Sequence, residues 1–257
     1  MYETLLYDVK DGVATITINR PEAGNAFSGK AFHEITQALD ICSSDASIRV
    51  VIVTGSGKHF SVGGDVKAMK TKGYITYETA KATSAMSGAA KKCLKPVIAM
   101  VNGTAAGAGC GLALGCDFRV MTEKSSLMTA FINMGLSGDT GCAFHLCNIV
   151  GLSKTIEIMM LSEPIGGEEA LRLGLATKVA SEGRLLETTL SLAETLKAKP
   201  AIALSKQKEL VYNQYYKDYG AYCEMEAKLF DETGGTADHM EAVNAFFEKR
   251  TPEFKGI

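Results

Sequence analysis

Two glycine-rich segments carry backbone N–H groups that could bind a negatively charged oxygen. The first is 59–65, which reads HFSVGGD, and the second is 102–111, which reads NGTAAGAGCG. Each follows a predicted strand and precedes a predicted helix, where small residues let a ligand approach the backbone closely. Two N–H donors that converge on one carbonyl oxygen form an oxyanion hole, which stabilises an enolate. The same small residues could instead serve only tight packing of a helix on a strand, and the residues alone leave both interpretations open.

A carboxyl group lies in a third glycine-rich segment, 135–141, which reads GLSGDTG. Asp139 directly precedes a predicted helix over 140–150, and aspartate is a favoured N-cap residue. A capping carboxylate accepts backbone N–H bonds, which lower its pKa and weaken it as a base. Without further information, this position favours a structural role for Asp139.

The spacing of cysteine and histidine indicates no metal site. The seven cysteines include no Cys-x-x-Cys pair, and the four histidines include no His-x-x-x-His pair. An odd number of cysteines without paired spacing also argues against a disulfide framework. We therefore expect no metal and expect the cysteines to be buried thiols of a reducing compartment.

Charge and hydropathy exclude several classes of partner. The 257 residues have a net charge of −2, and 46% of them are hydrophobic. Such a chain has no basic field that would attract nucleic acid or an anionic membrane. No continuous apolar run approaches the roughly 20 residues that a membrane-spanning helix needs, and the first ten residues are unlike a secretory signal. We expect a cytoplasmic protein that binds neither nucleic acid nor a membrane.

Hydrophobic periodicity predicts an α/β fold around the glycine-rich segments. Alternating or continuous apolar residues predict strands at 13–19, 49–54, 96–101 and 117–122. Helical spacing predicts helices at 30–42 and 77–94, and then, after about residue 184, at 184–198, 201–217, 221–231 and 238–249. We predict an α/β core over 1–198 and a C-terminal helical region for oligomerisation over 199–257.

The order of several motifs resembles the crotonase, or enoyl-CoA hydratase/isomerase, superfamily. The motifs are NAF at 25–27, FSVGGD at 60–65, KPVIAMVNG at 95–103, CD at 116–117, GGEEALRLGLATKV at 166–179 and AFFEKRTPEF at 245–254. This resemblance extends over nearly the whole chain. It implies a spiral of ββα units with a helical C-terminal region, assembled as a homotrimer or a dimer of trimers. It also implies an acyl-CoA thioester as ligand, with coenzyme A as part of the substrate and no separate cofactor.

The resemblance assigns positions to the binding groups as well. The oxyanion-hole N–H groups correspond to Gly64 and Ala108, and the superfamily usually has glycine at the second of these positions. Alanine still supplies an N–H group. The implied substrate-binding residues are Ala26, Val62, Gly64, Asp65, Ala108 and Phe131.

Two departures from the superfamily pattern bear on the reaction. Hydratases of the superfamily use two glutamates, and this chain has Gly111 and Phe131 at their positions. Hydration needs groups that position a water molecule and move its protons, which glycine and phenylalanine cannot do. The segment around Asp139 resembles that of Δ3,Δ2-enoyl-CoA isomerases and of the isomerases of phenylacetate breakdown, where an Asp or Glu moves a proton between two carbons. The resemblance thus favours an isomerase over a lyase, with Asp139 as proton shuttle.

Other members of the superfamily give alternative functions. The 4-chlorobenzoyl-CoA dehalogenases carry an aspartate nucleophile at the position of Asp139. They also use a tryptophan at the position of Phe131 and a histidine near Gly88, and this chain contains no tryptophan. A hydratase with a different water site, another acyl-CoA hydrolase or lyase, and a non-catalytic acyl-CoA binder stay open.

Overall fold

The computed structural model describes residues 2–70 and 75–257. Its strands are β1 (Leu5–Lys10), β2 (Val13–Ile18), β3 (Val50–Gly55), β4 (Val97–Met100), β5 (Thr104–Ala106), β6 (Phe118–Thr122), β7 (Ser126–Met128), β8 (Ile165–Gly166) and β9 (Lys178–Ala180). Its α-helices are α1 (Gly29–Ser44), α2 (Val66–Met69), α3 (Tyr77–Lys92), α4 (Ala108–Gly115), α5 (Cys142–Leu161), α6 (Gly167–Arg172), α7 (Leu185–Lys197), α8 (Ala201–Tyr215), α9 (Tyr219–Gly234) and α10 (Ala237–Glu248).

The main sheet has the strand order β1-β2-β3-β4-β6-β9 and is parallel except for the β1–β2 hairpin. Every residue of β3 is buried, because helices cover both faces of the sheet, as parallel sheets require. Val51 and Val53 belong to the core that includes Phe32 of α1, whereas Val50 and Ile52 belong to the core formed with α7. β3 is apolar along its whole length because alternate side chains pack into each of these two cores.

A smaller sheet of β5, β7 and β8 carries the second glycine-rich segment. β5 ends at Ala106, and α4 begins at Ala108 after Gly107. β5 pairs in parallel with β7, so that Ala106 lies opposite Met128. Ser61 of the first glycine-rich segment forms an isolated parallel bridge with Ala105. The two segments therefore lie side by side.

The predicted α/β class and spiral architecture are confirmed, and the predicted strands and long helices occur within a few residues of their expected bounds. The start of one helix is wrong. The helix expected at 140–150 is α5, which begins only at Cys142, because Thr140 and Gly141 have positive φ angles of 61° and 62°. A right-handed helix cannot include such residues. α5 then continues to Leu161 with a break at Gly151, whose φ is 78° and ψ is 169°.

α5 is the one helix of the described residues that is long and apolar enough, by length and composition, to cross a bilayer. Core helices of globular proteins pass the same test. The break at Gly151 interrupts this helix, and its second half carries an ion pair between Lys154 and Glu157.

The C-terminal helices contact the core through α9, which packs against α3. Ala227 and Phe230 of α9 are buried in the main hydrophobic core. α8, in contrast, contains no buried residue, and Leu229 and Phe246 are 44% and 58% exposed. Exposed apolar groups of this kind commonly mark association surfaces. Assembly as a trimer or a dimer of trimers stays a prediction.

Candidate active site

A cavity of about 260 Å³ lies where the two glycine-rich segments, the segment around Asp139 and the C-terminal helices meet. Its walls are mostly apolar, as in sites that bind an acyl chain or another apolar ligand. The lining residues are Phe32, Val62, Gly64, Val66, Met69, Ile75, Thr79, Gly107, Ala108, Ala130, Phe131, Asn133, Met134, Leu136, Asp139, Phe230 and Phe246. Five of the residues assigned from the sequence therefore share one cavity: Val62, Gly64, Ala108, Phe131 and Asp139.

The turn at Gly63 brings the first glycine-rich segment against the second. Its carbonyl accepts the N–H of Phe27 at 2.8 Å. Gly63 has a φ of 95°, and a methyl group added to it would lie 2.8 Å from the carbonyl oxygen of Ala106. Glycine is therefore required here both by the backbone conformation and by the close approach of the two segments.

The N–H groups of Gly64 and Ala108 are free to bind a ligand. Neither group donates a hydrogen bond among the residues that the structure describes. Ala108 is the first residue of α4, and N–H groups in the first turn of a helix have no acceptor within the helix. The positive end of the helix dipole strengthens such donors toward negative charge. Both residues line the same cavity, and their joint action on one oxygen stays a prediction.

Two asparagines of the family-like motifs hold the loop before the first glycine-rich segment. The Nδ2 of Asn25 donates to the carbonyl oxygens of Ser56 and His59 at 2.8 and 2.6 Å. The Nδ2 of Asn102 donates to the carbonyl oxygen of Gly55 at 2.8 Å. Both side chains therefore have a structural role in shaping the loop that leads into the first glycine-rich segment.

Ala26 and Asp65 are not among the residues that line the cavity. Arg20 joins them, because its Nη1 donates to the Ala26 carbonyl at 2.8 Å and its Nη2 pairs with Asp65 at 3.1 Å. Asp65 also caps α2 by accepting the N–H of Lys67 at 3.0 Å. These contacts shape the loop beside Gly64, and a direct contact of Ala26 or Asp65 with substrate stays a prediction.

Asp139 is a buried carboxyl group in the cavity wall, with 6% exposure. Burial raises its pKa to about 6, although the hydrogen bond from the Thr140 hydroxyl and the nearby Thr83 side chain partly oppose this increase. Thr140 Oγ1 donates to Asp139 at 2.8 Å. The N-cap of α5 is Gly141, and no side chain caps this helix. The capping interpretation of Asp139 is therefore wrong, and desolvation makes its carboxylate a stronger base than an ordinary aspartate.

The turn that carries this aspartate has an unusual backbone. Gly138, Thr140 and Gly141 all have positive φ angles, of 119°, 61° and 62°. A left-handed conformation costs a non-glycine residue on the order of 1 kcal/mol, so neighbouring groups must hold the turn. Ser87 Oγ donates to the Thr140 carbonyl at 2.6 Å, and the carboxylate of Glu226 accepts the N–H of Gly141 at 2.8 Å.

Gly111 and Phe131 stand at the two positions where hydratases of the superfamily carry glutamates. A β-carbon on Gly111 would overlap the Thr140 side chain, including its Oγ1. Phe131 is 6% exposed and lines the cavity, and its ring packs 3.3 Å from where a β-carbon on Gly138 would lie. Thr140 thus fills the space beside Gly111, and the apolar ring of Phe131 forms part of the cavity wall.

Replacement of Gly111 by glutamate is expected to lower stability without creating a hydratase. The new side chain must displace Thr140, and overpacking of this kind costs roughly 1–3 kcal/mol. The melting temperature should fall, and crotonyl-CoA hydration should stay undetectable. The double variant Gly111→Glu/Thr140→Gly is the control, because it removes the clash and should regain part of the stability. A stable Gly111→Glu variant with hydratase activity would contradict this account of the site.

Sequence reasoning missed the contribution of the C-terminal helices to this site. Phe230 of α9 and Phe246 of α10 line the cavity, and Glu226 of α9 holds the turn. Helical periodicity showed that this region has apolar residues, but periodicity does not identify the surface that a helix contacts. No signal in the single sequence distinguishes Glu226 from the exposed glutamates of the same helix.

The fold is of the crotonase type, and comparison with known proteins agrees. The model of the family described as enoyl-CoA hydratase/isomerase matches residues 8–257. The chain belongs to this family. It is 32% identical to the trans-2-decenoyl acyl-carrier-protein isomerase of Streptococcus mutans, with 99% of each chain covered.

Other relatives carry the name of a hydratase. The chain is 34% identical to the "Probable enoyl-CoA hydratase" of Rhodobacter capsulatus, again with 99% of each chain covered. Its fold is similar to the crystal structure of an enoyl-CoA hydratase from Mycobacterium avium subsp. paratuberculosis K-10, with a TM-score of 0.92 and 27% identity over 99% of this chain and 100% of that one. Names within the family are thus mixed between isomerase and hydratase.

Proposed function

We propose that this protein is a Δ3,Δ2-enoyl-CoA isomerase in which Asp139 is the proton shuttle. The observation that carries the proposal is the composition of the cavity wall. Among the described residues that line it, Asp139 has the one titratable side chain. Isomerisation needs a single base, because the same carboxyl group can return the proton it removes, whereas hydration also needs a positioned water molecule.

The reaction follows from the positions of three groups. The N–H groups of Gly64 and Ala108 would donate to the thioester oxygen of a 3-enoyl substrate. The Asp139 carboxylate would remove a proton from C2, and the electron pair of the C–H bond would pass to the thioester oxygen as a dienolate. Reprotonation at C4 by the Asp139 carboxyl group would re-form the carbonyl and leave the double bond between C2 and C3. The two N–H groups stabilise the charge that develops on the oxygen.

The pH dependence of turnover should report the ionisation of Asp139. Only the carboxylate can accept the C2 proton, and burial raises the pKa of this group to about 6. We therefore expect kcat/KM to fall about tenfold per pH unit below pH 6. An aspartate at its ordinary pKa of about 3.9 would keep nearly full activity down to about pH 5. Initial rates between pH 4.5 and 8 measure this, and activity that stays constant down to pH 4.5 would contradict the assignment.

The raised pKa of Asp139 stabilises the folded state at low pH, where it also lowers the activity. The pKa of Asp139 is higher in the folded state than in the unfolded state, so the folded protein binds more protons between about pH 4 and 6. The favourable contribution of the protonated group is complete below this window and is lost as the pH rises through about 6. Ionisation of Asp139 at neutral pH therefore lowers the free energy of unfolding.

A direct comparison of two reactions tests the proposal. The protein should convert 3-hexenoyl-CoA to 2-hexenoyl-CoA faster than it adds water to crotonyl-CoA, with products identified by mass spectrometry. Since one relative is named for an acyl-carrier-protein substrate, each acyl chain should be presented on both carriers. Hydration that outruns isomerisation on both carriers would rule out the proposal.

A further inference from the structure

Glu226 is a second buried carboxyl group beside the turn that carries Asp139. It lies on α9 and is 6% exposed. Its Oε2 accepts the N–H of Gly141 and the hydroxyl of Ser84, both at 2.8 Å. Gly141 is only two residues beyond Asp139, whereas it is 85 residues from Glu226 along the chain. The C-terminal region thus holds the backbone of the turn directly.

Adjacent residues of α3 contact the two carboxyl groups. The Thr83 side chain acts on Asp139 and lowers its pKa, and the hydroxyl of the next residue, Ser84, donates to Glu226. Burial raises the pKa of Glu226 to about 7, and the negative charge of Asp139 contributes to this increase. The two carboxyl groups therefore belong to one buried polar cluster between α3, α9 and the turn.

The other titratable groups that face this cluster stay neutral near pH 7. One of them is the imidazole of His145 on α5, which lies against Ser87 and Tyr219 and whose pKa burial lowers well below its usual range. The others are thiols from α5 and α9 and phenols from α9, namely Cys142, Cys223, Tyr219 and Tyr222. A hydrogen bond with Cys110 and burial raise the pKa of Cys142, and burial raises the pKa of the other three. No cation is among the main groups that act on either carboxyl group in the described part of the chain. Only the two carboxyl groups of the cluster therefore ionise between pH 5 and 8.

We propose that Glu226 is a positioning residue for Asp139. Glu226 holds the turn so that the Asp139 carboxyl group faces the cavity, and the charges of the two carboxyl groups are coupled. The inference rests on the proposed isomerase function. The positive φ angles of Thr140 and Gly141 persist only if surrounding contacts maintain them. Two carboxylates in one buried site lose their protons in successive steps, because the first charge opposes the second.

Two substitutions separate the positioning contact from the charge. Glu226→Ala removes both, and a misplaced Asp139 should lower kcat for 3-hexenoyl-CoA about 10- to 100-fold. KM should change little, because the apolar cavity wall is intact.

Glu226→Gln retains an oxygen for the N–H of Gly141, and at pH 6, where Glu226 is mostly protonated, its kcat should stay within about threefold of wild type. Glu232→Gln, at an exposed position of the same helix, is the matched control and should leave kcat unchanged.

Carbon-13 NMR of the Asp and Glu carboxyl groups follows the charges without any turnover. Asp139→Asn should lower the pKa of Glu226, because the neighbouring negative charge is gone. In Glu226→Gln, Asp139 should titrate in a single step. An unchanged pKa of Glu226 in Asp139→Asn, or a wild-type kcat in Glu226→Ala, would overturn the inference. If no enoyl thioester reacts while the two carboxyl groups still titrate as a coupled pair, the isomerase proposal fails and the coupling stands.

Discussion

Asp139→Asn is expected to lower kcat for 3-hexenoyl-CoA isomerisation by at least about 10²-fold, because an amide cannot accept the C2 proton. Asparagine has nearly the same shape and keeps an oxygen for the hydrogen bond from Thr140. Binding of octanoyl-CoA, measured by calorimetry, should therefore persist. At pH 8 the melting temperature should equal or exceed that of wild type, because the variant no longer buries a negative charge.

The matched control for this prediction is Asp40→Asn, at an exposed position of α1. It makes the same chemical change far from the cavity wall and should retain wild-type kcat. If isomerisation survives intact in Asp139→Asn, Asp139 is not the base. If the variant loses stability and thioester binding together, its carboxylate has a structural role.

Ala108→Pro should lower kcat about 10²- to 10³-fold, the loss measured when one oxyanion-hole donor is removed from other enzymes. Proline lacks the N–H group and is well tolerated at the first position of a helix, where that group has no helical acceptor. Ala108 occupies this position in α4. The substitution therefore removes a donor while the helix is retained, and circular dichroism together with the melting temperature should show a folded protein.

Ala108→Gly is the control for the donor, because it changes the side chain and keeps the N–H group. Its kcat should stay within about threefold of wild type. A wild-type rate in a folded Ala108→Pro variant would show that this N–H group does not stabilise the transition state. Equal losses in the proline and glycine variants would assign the effect to packing around residue 108.

The parallel sheet and its helices could be predicted from the sequence because their signals are local. In β3, six consecutive buried residues make an apolar run, and α1 repeats its buried residues at helical spacing. The glycine-rich segments were also visible, since Gly63 has no substitute at a φ of 95° against a neighbouring carbonyl. The prediction that the two segments meet at the cavity depended on the family resemblance, because the local sequence does not indicate which loops lie next to each other.

The role of Asp139 could not be decided from the sequence. The cap preference of aspartate is real, but it applies only where a helix begins immediately after it. Here the left-handed backbone of Thr140 and Gly141 delays the helix to Cys142. Glycine on both sides of the Asp139-Thr140 pair was a sign of such a turn. Only the three-dimensional structure shows that Thr140 also fills the space beside Gly111.

The contact between Glu226 and Gly141 has a consequence for biosynthesis. α9 follows the main sheet and the Asp139 segment along the chain, so a nascent chain has neither the Glu226 acceptor of the Gly141 N–H nor the Phe230 wall of the cavity until residues 226–230 have been made. Before then, apolar residues such as Phe32 and Met134 face an incomplete pocket, and exposed apolar surface of this kind favours aggregation. A chain that stalls before residue 226 should contain the main sheet and yet lack an ordered Asp139.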